Sequence, residues 1–374
     1  MASAAIVGAG VAGRLTALAL LRKGWRVTLF ERGSRSGEAS AGLVAAGMLA
    51  PYAELDTAEP LVFNLGLRSM QLWPQLLDQL PAPVFYQQSG TVLVAHRQDR
   101  AELERFVGRI RSKLGERAKA QPLDRAALAE LEPELDGRFG RGVLFAEEGQ
   151  VDPSELYPAL EQALLSGGVQ WHQHADVSTL APGRVTAEGL EWRGDWVVDA
   201  RGLGAKADIP GLRGVRGEII TVDAPEVTLN RLVRLMHPRY PLYIAPRRNR
   251  RYVIGATSIE SEDLSPISVR SMLELLSAAY SVHSGFAEAR VLHAKIQLRP
   301  ALSDHLPRLF HRPGLVRING LYRHGYLLGP ALVEAAVGLV EQGPGGLKYP
   351  ELLVEESDAE SEIQRPGNPV AATV

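Results

Sequence analysis

The chain has 374 residues, 45% apolar and 22% charged, a length that suggests two domains or one elaborated domain. It contains no cysteine, which excludes disulfides, thiolate metal sites and a Cys nucleophile and fits a reducing compartment such as the cytoplasm. A formal net charge of −2 offers no global cationic field for nucleic acid or an anionic membrane, and no stretch reaches the roughly 18 apolar residues of a membrane span.

Met1 to Val7 has no basic region ahead of the apolar Leu15 to Leu21 stretch, so the N-terminus reads as mature structure and not as a signal peptide. Ala4-Ala5-Ile6-Val7 is a short apolar run typical of a buried parallel strand, and it leads directly into Gly8-Ala9-Gly10-Val11-Ala12-Gly13. A helix follows through Leu15, Ala17, Leu18, Leu20 and Leu21 until Gly24, after which Trp25 to Phe30 reads as a second strand ending at Glu31. This is one complete βαβ unit. Residues 33 to 47 are rich in Gly, Ser and Ala, a composition for a loop or helix start whose backbone something approaches closely.

Residues 67 to 80 and 100 to 135 look helical, with Asp124 a plausible N-cap. Asp152-Pro153 starts a further helix that stops at Gly167-Gly168. Trp196 to Ala200 is an apolar strand running into Arg201-Gly202-Leu203-Gly204. From 214 to 258 the pattern changes to β-type runs, Glu218 to Val222, Leu242 to Ala245 and Arg251 to Gly255, separated by turns as in an antiparallel sheet. Residues 355 to 374 are acidic, then Pro- and Gly-bearing, with no apolar period; the composition predicts a disordered tail.

Gly8, Gly10 and Gly13 carry the G-x-G-x-x-G spacing between a strand and a helix. The first glycine suits a tight turn, the second the approach of a pyrophosphate, the third close helix–strand contact. The helix N-terminus, with Val11 and Ala12, supplies oriented N–H groups. Glu31 stands 18 residues after Gly13, where a carboxylate accepts ribose hydroxyls and disfavours a 2′-phosphate. These glycines do not separate FAD from NAD, but no second fingerprint follows to hold a nicotinamide cofactor.

Further pieces follow in order: Ala45-Ala46-Gly47-Met48-Leu49 with Ala53-Glu54, Val151-Asp152-Pro153, Val198-Asp199-Ala200-Arg201-Gly202, Tyr243-Ile244-Ala245-Pro246-Arg247, Gly255-Ala256-Thr257, Leu298-Arg299-Pro300 with Asp304 and Pro307, and Tyr322-Arg323-His324-Gly325-Tyr326-Leu327-Leu328. With the fingerprint, this series over residues 4 to 345 resembles the D-amino-acid-oxidase-like flavoproteins, and within them the glycine oxidases of thiamine biosynthesis.

The resemblance implies a non-covalent FAD, since no cysteine exists for a thioether link. It also implies an α/β fold, a Rossmann-like FAD-binding domain beside a substrate domain with a mainly antiparallel sheet. The FAD domain is expected from residues 1–83, 144–214 and 296–350, and the substrate domain from 84–143 and 215–295. Cofactor contacts implied are Gly8, Gly10, Val11, Ala12, Gly13, Glu31, Arg32, Ser40, Ala46, Gly47, Met48, Val177 near the adenine, Gly202, and Tyr322 through Leu327 at the pyrimidine end. Arg299 and Tyr243 would bind an amino-acid carboxylate, with Arg323 and His324 at the reacting face.

The implied activity is oxidation of a small amino acid such as glycine or sarcosine to an imine and then an oxo acid, with dioxygen reduced to hydrogen peroxide. Three alternatives stay open: a dehydrogenase using another electron acceptor, an accessory flavoprotein that matures a side chain on a client protein, and an NAD-dependent dehydrogenase. Self-association is common in the group. Anionic substrate recruitment falls to local arginines, chiefly Arg299 and Arg323. His324 stands where the family usually shows Asn, Leu321 where it shows His, and Ser258 where Met is common. His172 and His174 share a strand face without a third ligand, so no metal is expected.

Overall fold

The computed structural model describes residues 1–135, 137–237 and 242–355. Strand β1 (Ser3–Val7) is buried along its whole length, helix α1 (Val11–Arg22) follows, and strand β2 (Arg26–Glu31) returns parallel to β1 with Ile6 opposite Leu29. On its other side β1 pairs in parallel with Trp196–Asp199, which pairs in parallel with Leu315–Asn319; Gln170–Gln173 lies parallel outside β2. Arg308–Arg312 adds an antiparallel strand and Leu353–Glu355 closes that edge, giving a seven-stranded sheet. Chain order reverses at β1. In open α/β sheets the crevice for a ligand lies outside the carboxyl ends of the strands at such a switch point.

One face of this sheet is covered by α1 and the helices Pro60–Leu77, Pro153–Ser166 and Gly325–Gln342, around a core that includes Leu20, Leu65, Trp73 and Leu332. The other face carries a small antiparallel sheet of Val177–Ala181, Arg184–Ala187 and Leu190–Arg193, whose Val185 and Ala187 pack on Ala5, Phe30 and Val197.

The second large sheet has eight strands in the order Arg290–Ala301, Arg213–Asp223, Arg251–Gly255, Leu242–Pro246, Leu232–Leu235, Thr91–Val94, Arg141–Phe145 and Gln121–Asp124. All neighbours are antiparallel except Leu232–Leu235 beside Thr91–Val94. The helix Val269–Val282 buries Leu275, Ala279 and Val282 against it. Parallel-sheet and antiparallel-sheet units thus match the α/β class read from the sequence.

Several local expectations change. The helix expected over 100–135 is two helices, Arg100–Leu114 and Arg125–Leu131, because Gly115 takes φ 56° and Gln121–Asp124 joins the sheet edge; Asp124 does cap the second, accepting from Ala127 N–H at 2.8 Å. The helix expected over 67–80 begins seven residues earlier, with Pro60 in its first turn, and ends at Leu77. Glu355 ends a strand, and the rest of the expected tail lies outside the described residues. The boundaries expected at 144, 214 and 296 fall within Arg141–Phe145, Arg213–Asp223 and Arg290–Ala301.

Candidate functional site

A cavity of about 470 Å³ opens at the switch point and runs to the antiparallel sheet. At its near end Gly8 sits at φ 97°, and a Cβ there would lie 2.6 Å from the Ala200 carbonyl oxygen; a Cβ on Gly13 would overlap the Gly8 carbonyl. Only glycine closes this turn. Gly8, Gly10, Val11 and Ala12 line the cavity, so the N-terminal turn of α1 faces it, with the Val11 N–H also in reach of the Tyr157 hydroxyl. Glu31 lies beside them, its carboxylate accepting from Ala9 N–H at 2.6 Å and Gly33 N–H at 2.9 Å. That fixes a hydroxyl acceptor next to a diphosphate cradle. Gly10, Ser40 and Gly42 surround the same space, and Ser40 Oγ is held 2.7 Å from the Tyr157 hydroxyl.

Further in, Ala46, Gly47 and Met48 form one wall. Gly47 takes φ 59°, and Arg247 pins the segment: it donates to the Ala46 carbonyl and to Gln150 Oε1 at 2.6 Å while pairing with Asp152 at 3.4 Å. Opposite runs Leu321 to Leu327. Tyr322 is held at φ 48°, a left-handed conformation uncommon for an aromatic residue. Its N–H donates to the Pro300 carbonyl at 2.8 Å and its ring stacks on His305. The Tyr326 hydroxyl donates to the Gly42 carbonyl at 2.8 Å, tying this segment to the loop over the nucleotide end.

At the far end stand Arg299 and Tyr243. Arg299 Nη1 donates to the Thr257 carbonyl at 3.0 Å, and no carboxylate among the described residues is within ion-pair distance of it. Burial lowers its pKa from the ordinary value, and burial pushes the Tyr243 hydroxyl up to about 12, so both keep their protons at neutral pH. Two glycines make room for them. A Cβ on Gly217 would run into the Arg299 guanidinium, and one on Gly255 would lie 2.5 Å from the Tyr243 hydroxyl.

Beside them is a charged cluster built on Glu54, to which the sequence assigned no role. Glu54 is 8% exposed, 2.7 Å from Arg323 Nε, 3.4 Å from His324 Nδ1 and 3.9 Å from Arg234 Nη1. Burial works to raise the Glu54 carboxyl, but Arg323 above all outweighs it and holds the group at about 2. Burial drops the His324 imidazole to about 4, so it is neutral at pH 7. Arg323 also donates to Thr57 Oγ1. It is therefore an internally paired cation.

Behind Glu54, the fully buried Glu148 accepts from Ala53 N–H at 2.8 Å; burial pushes its carboxyl up to about 7. A carboxyl raised on folding stabilises the fold while protonated, fully below its unfolded value near 4.5, and that contribution is lost as pH rises through about 7. Glu148→Gln should therefore lack this loss. The thermal midpoint of the variant minus that of the parent is expected to increase between pH 5 and pH 8, measured by differential scanning fluorimetry; a constant difference would refute the assignment.

The remaining sequence candidates divide cleanly. Glu31, Arg32, Ser40, Gly202, Gly325 and Leu327 also line the cavity. Gly13 lies beneath its floor. Val177 does not line it; the residue sits on the outer three-stranded sheet against the Val185 and Ala187 cluster. His172 stacks on Phe30, and no metal-holding group of His, Asp or Glu exists among the described residues. Ser258 Oγ lies 3.1 Å from the Tyr322 hydroxyl. No helix among the described residues is long and apolar enough to cross a membrane.

Comparison with known proteins agrees with this geometry. The family described as FAD dependent oxidoreductase (DAO) matches residues 3–338. A Rhizobium etli protein described as a thiamine biosynthesis oxidoreductase, ThiO, is 42% identical over 338 residues, covering 90% of this chain and 96% of its own. The glycine oxidase of Geobacillus kaustophilus is 30% identical over 357 residues, covering 90% and 92%. A crystal structure of glycine oxidase from Geobacillus kaustophilus superposes with a TM-score of 0.81 at 28% identity, over 94% of this chain and 98% of that one. The fold of iminodiacetate oxidase from Chelativorans sp. BNC1 also matches, with a TM-score of 0.79 at 23% identity over 94% and 99%. The chain therefore belongs to the DAO family of FAD-dependent oxidoreductases, and FAD is its cofactor.

Proposed function

We propose that this protein oxidises a small amino acid, glycine or sarcosine, at its Cα–N bond to an imine that water converts to an oxo acid with release of ammonia or amine. The observation that carries the reading is Arg299: a buried guanidinium on the cavity wall, free of any carboxylate among the described residues and next to the Tyr243 hydroxyl. A planar guanidinium offers paired N–H donors that match a carboxylate and fix its plane, and Tyr243 adds an O–H donor from the side. FAD, when bound, would supply the two-electron acceptor for this oxidation, with dioxygen as the final oxidant and hydrogen peroxide as its product.

The diphosphate fits the N–H groups of Val11 and Ala12 and the ribose fits Glu31. Ala46 to Met48 and Leu321 to Leu327 are the two walls suited to the ring system. With Cα held by Arg299 and Tyr243, the chain's task is orientation and exclusion of water rather than proton transfer; His324, uncharged and facing Glu54, fits that role by shaping the cavity wall. A cytoplasmic setting belongs to the same proposal, supported by the cysteine-free chain.

The test is anaerobic mixing of the yellow holoprotein with glycine, sarcosine and small D-amino acids while following the flavin band near ~450 nm, then admission of air and assay of peroxide. Bleaching followed by peroxide is expected. Bleaching reversed only by a dye acceptor would replace dioxygen with another oxidant, and neither bleaching nor peroxide with any of these substrates would overturn the reading.

A further inference from the structure

The cavity wall contains two half-buried arginines that differ in one respect. Among the described residues Arg299 has only the Thr257 carbonyl as a hydrogen-bond partner, at 3.0 Å, whereas Arg323 is paired with Glu54 at 2.7 Å and donates to Thr57 Oγ1. Glu54 itself lines the cavity and is anchored beside Arg234, whose Nη1 donates to the Ala53 carbonyl at 2.8 Å. A ligand carboxylate entering here meets one guanidinium with unfilled donors and one already neutralised by a fixed carboxylate. A second carboxylate on the same ligand would have to displace Glu54 or stand against it, and like charges in a poorly solvated site repel strongly.

We propose that Glu54 is a specificity-determining residue: by occupying Arg323 it restricts the site to amino acids with a single carboxylate and rejects dicarboxylic amines. The proposal rests on the amino-acid oxidase reading above. It makes Arg323 a latent second carboxylate site, silenced from within the chain. Glu54 does this through Arg323 and is a positioning residue, not a catalytic one.

The experiment compares the parent holoprotein with Glu54→Gln and with the double variant Glu54→Gln/Arg323→Gln, using glycine and iminodiacetate as substrates. Calorimetric binding of acetate and malonate provides a readout independent of turnover. Glu54→Gln is expected to raise the iminodiacetate-to-glycine ratio of kcat/KM, and the malonate-to-acetate ratio of affinities, about tenfold or more, the scale of one freed charge-assisted pair. The double variant removes both charges together, so its ratios should return to the parent's, whatever it does to glycine turnover itself.

Unchanged ratios in Glu54→Gln would overturn the proposal. So would ratios in the double variant that stay as high as in Glu54→Gln, because the gain would then not pass through Arg323. Should Glu54→Gln fail to fold with Arg323 unpaired, Glu54→Asp, which keeps the charge and loosens the pair, decides by the same two ratios. Should the parent turn over no amine, the acetate and malonate affinities still test the role of Glu54, and the failure belongs to the oxidase reading.

Discussion

Replacing Arg299 by Met should cost the protein about two orders of magnitude in kcat/KM for glycine, most of it in KM. The side chain is long enough to fill the same space, so the change removes charge and donors while keeping packing. Loss of one member of a buried charge-assisted pair costs about 3 kcal/mol, which is roughly a hundredfold. Arg299→Lys should fall between, because it keeps the charge but not the planar fork. Flavin content and the visible spectrum should remain those of the parent, because Arg299 stands at the end of the cavity remote from the Gly8–Gly13 turn. Steady-state kinetics checks this, and a KM unchanged within about twofold would remove Arg299 from the substrate site.

Gly13→Ala should yield a colourless protein. The added methyl would overlap the Gly8 carbonyl, which is backbone held in place by the Gly8 N–H donating to the Phe30 carbonyl at 2.8 Å. The turn must open, at a strain cost of about 1–3 kcal/mol, and its N–H groups lose their aim. FAD affinity should fall at least tenfold while the far-ultraviolet circular dichroism stays that of a folded α/β protein. Gly338→Ala is the control: it lies in the helix Gly325–Gln342 with nothing near its Cβ position, where Ala is the better helix former. Its flavin content should match the parent's. A yellow Gly13→Ala protein with parental FAD affinity would mean that the turn tolerates what its geometry forbids.

The first unit, β1 through β2, could be read from the sequence because its signals are local. An apolar run, three spaced glycines and a terminal carboxylate each determine their own backbone or contact. The Arg100–Leu131 region could not, since the break at Gly115 depends on a strand pairing with residues around Arg141 to Leu144, distant in the chain and invisible to helical periodicity. The substrate end was half legible. The resemblance assigned Arg299 and Tyr243 to a carboxylate, but nothing in Ala53-Glu54-Leu55 says that the Glu54 carboxylate is buried against Arg323, because that contact joins residues 269 positions apart. The resemblance put Val177 near the adenine; the residue packs with Val185 and Ala187, two positions beyond Ala175, whose N–H donates to the Glu31 carbonyl at 2.9 Å.

The two glycines against Arg299 and Tyr243 bear on how this enzyme can diversify. Neither position has a side chain to reach a substrate: Gly217 lies between Arg216 and Glu218 opposite Gln297, and Gly255 ends its strand opposite Ile219 and Tyr243. In a saturation library scored for turnover, positions 217 and 255 should nonetheless be as intolerant as a reactive residue, every replacement tilting the guanidinium or the phenol. The set of substrates open to this lineage is thereby bounded from behind the ligand-binding side chains, by atoms the sequence leaves out.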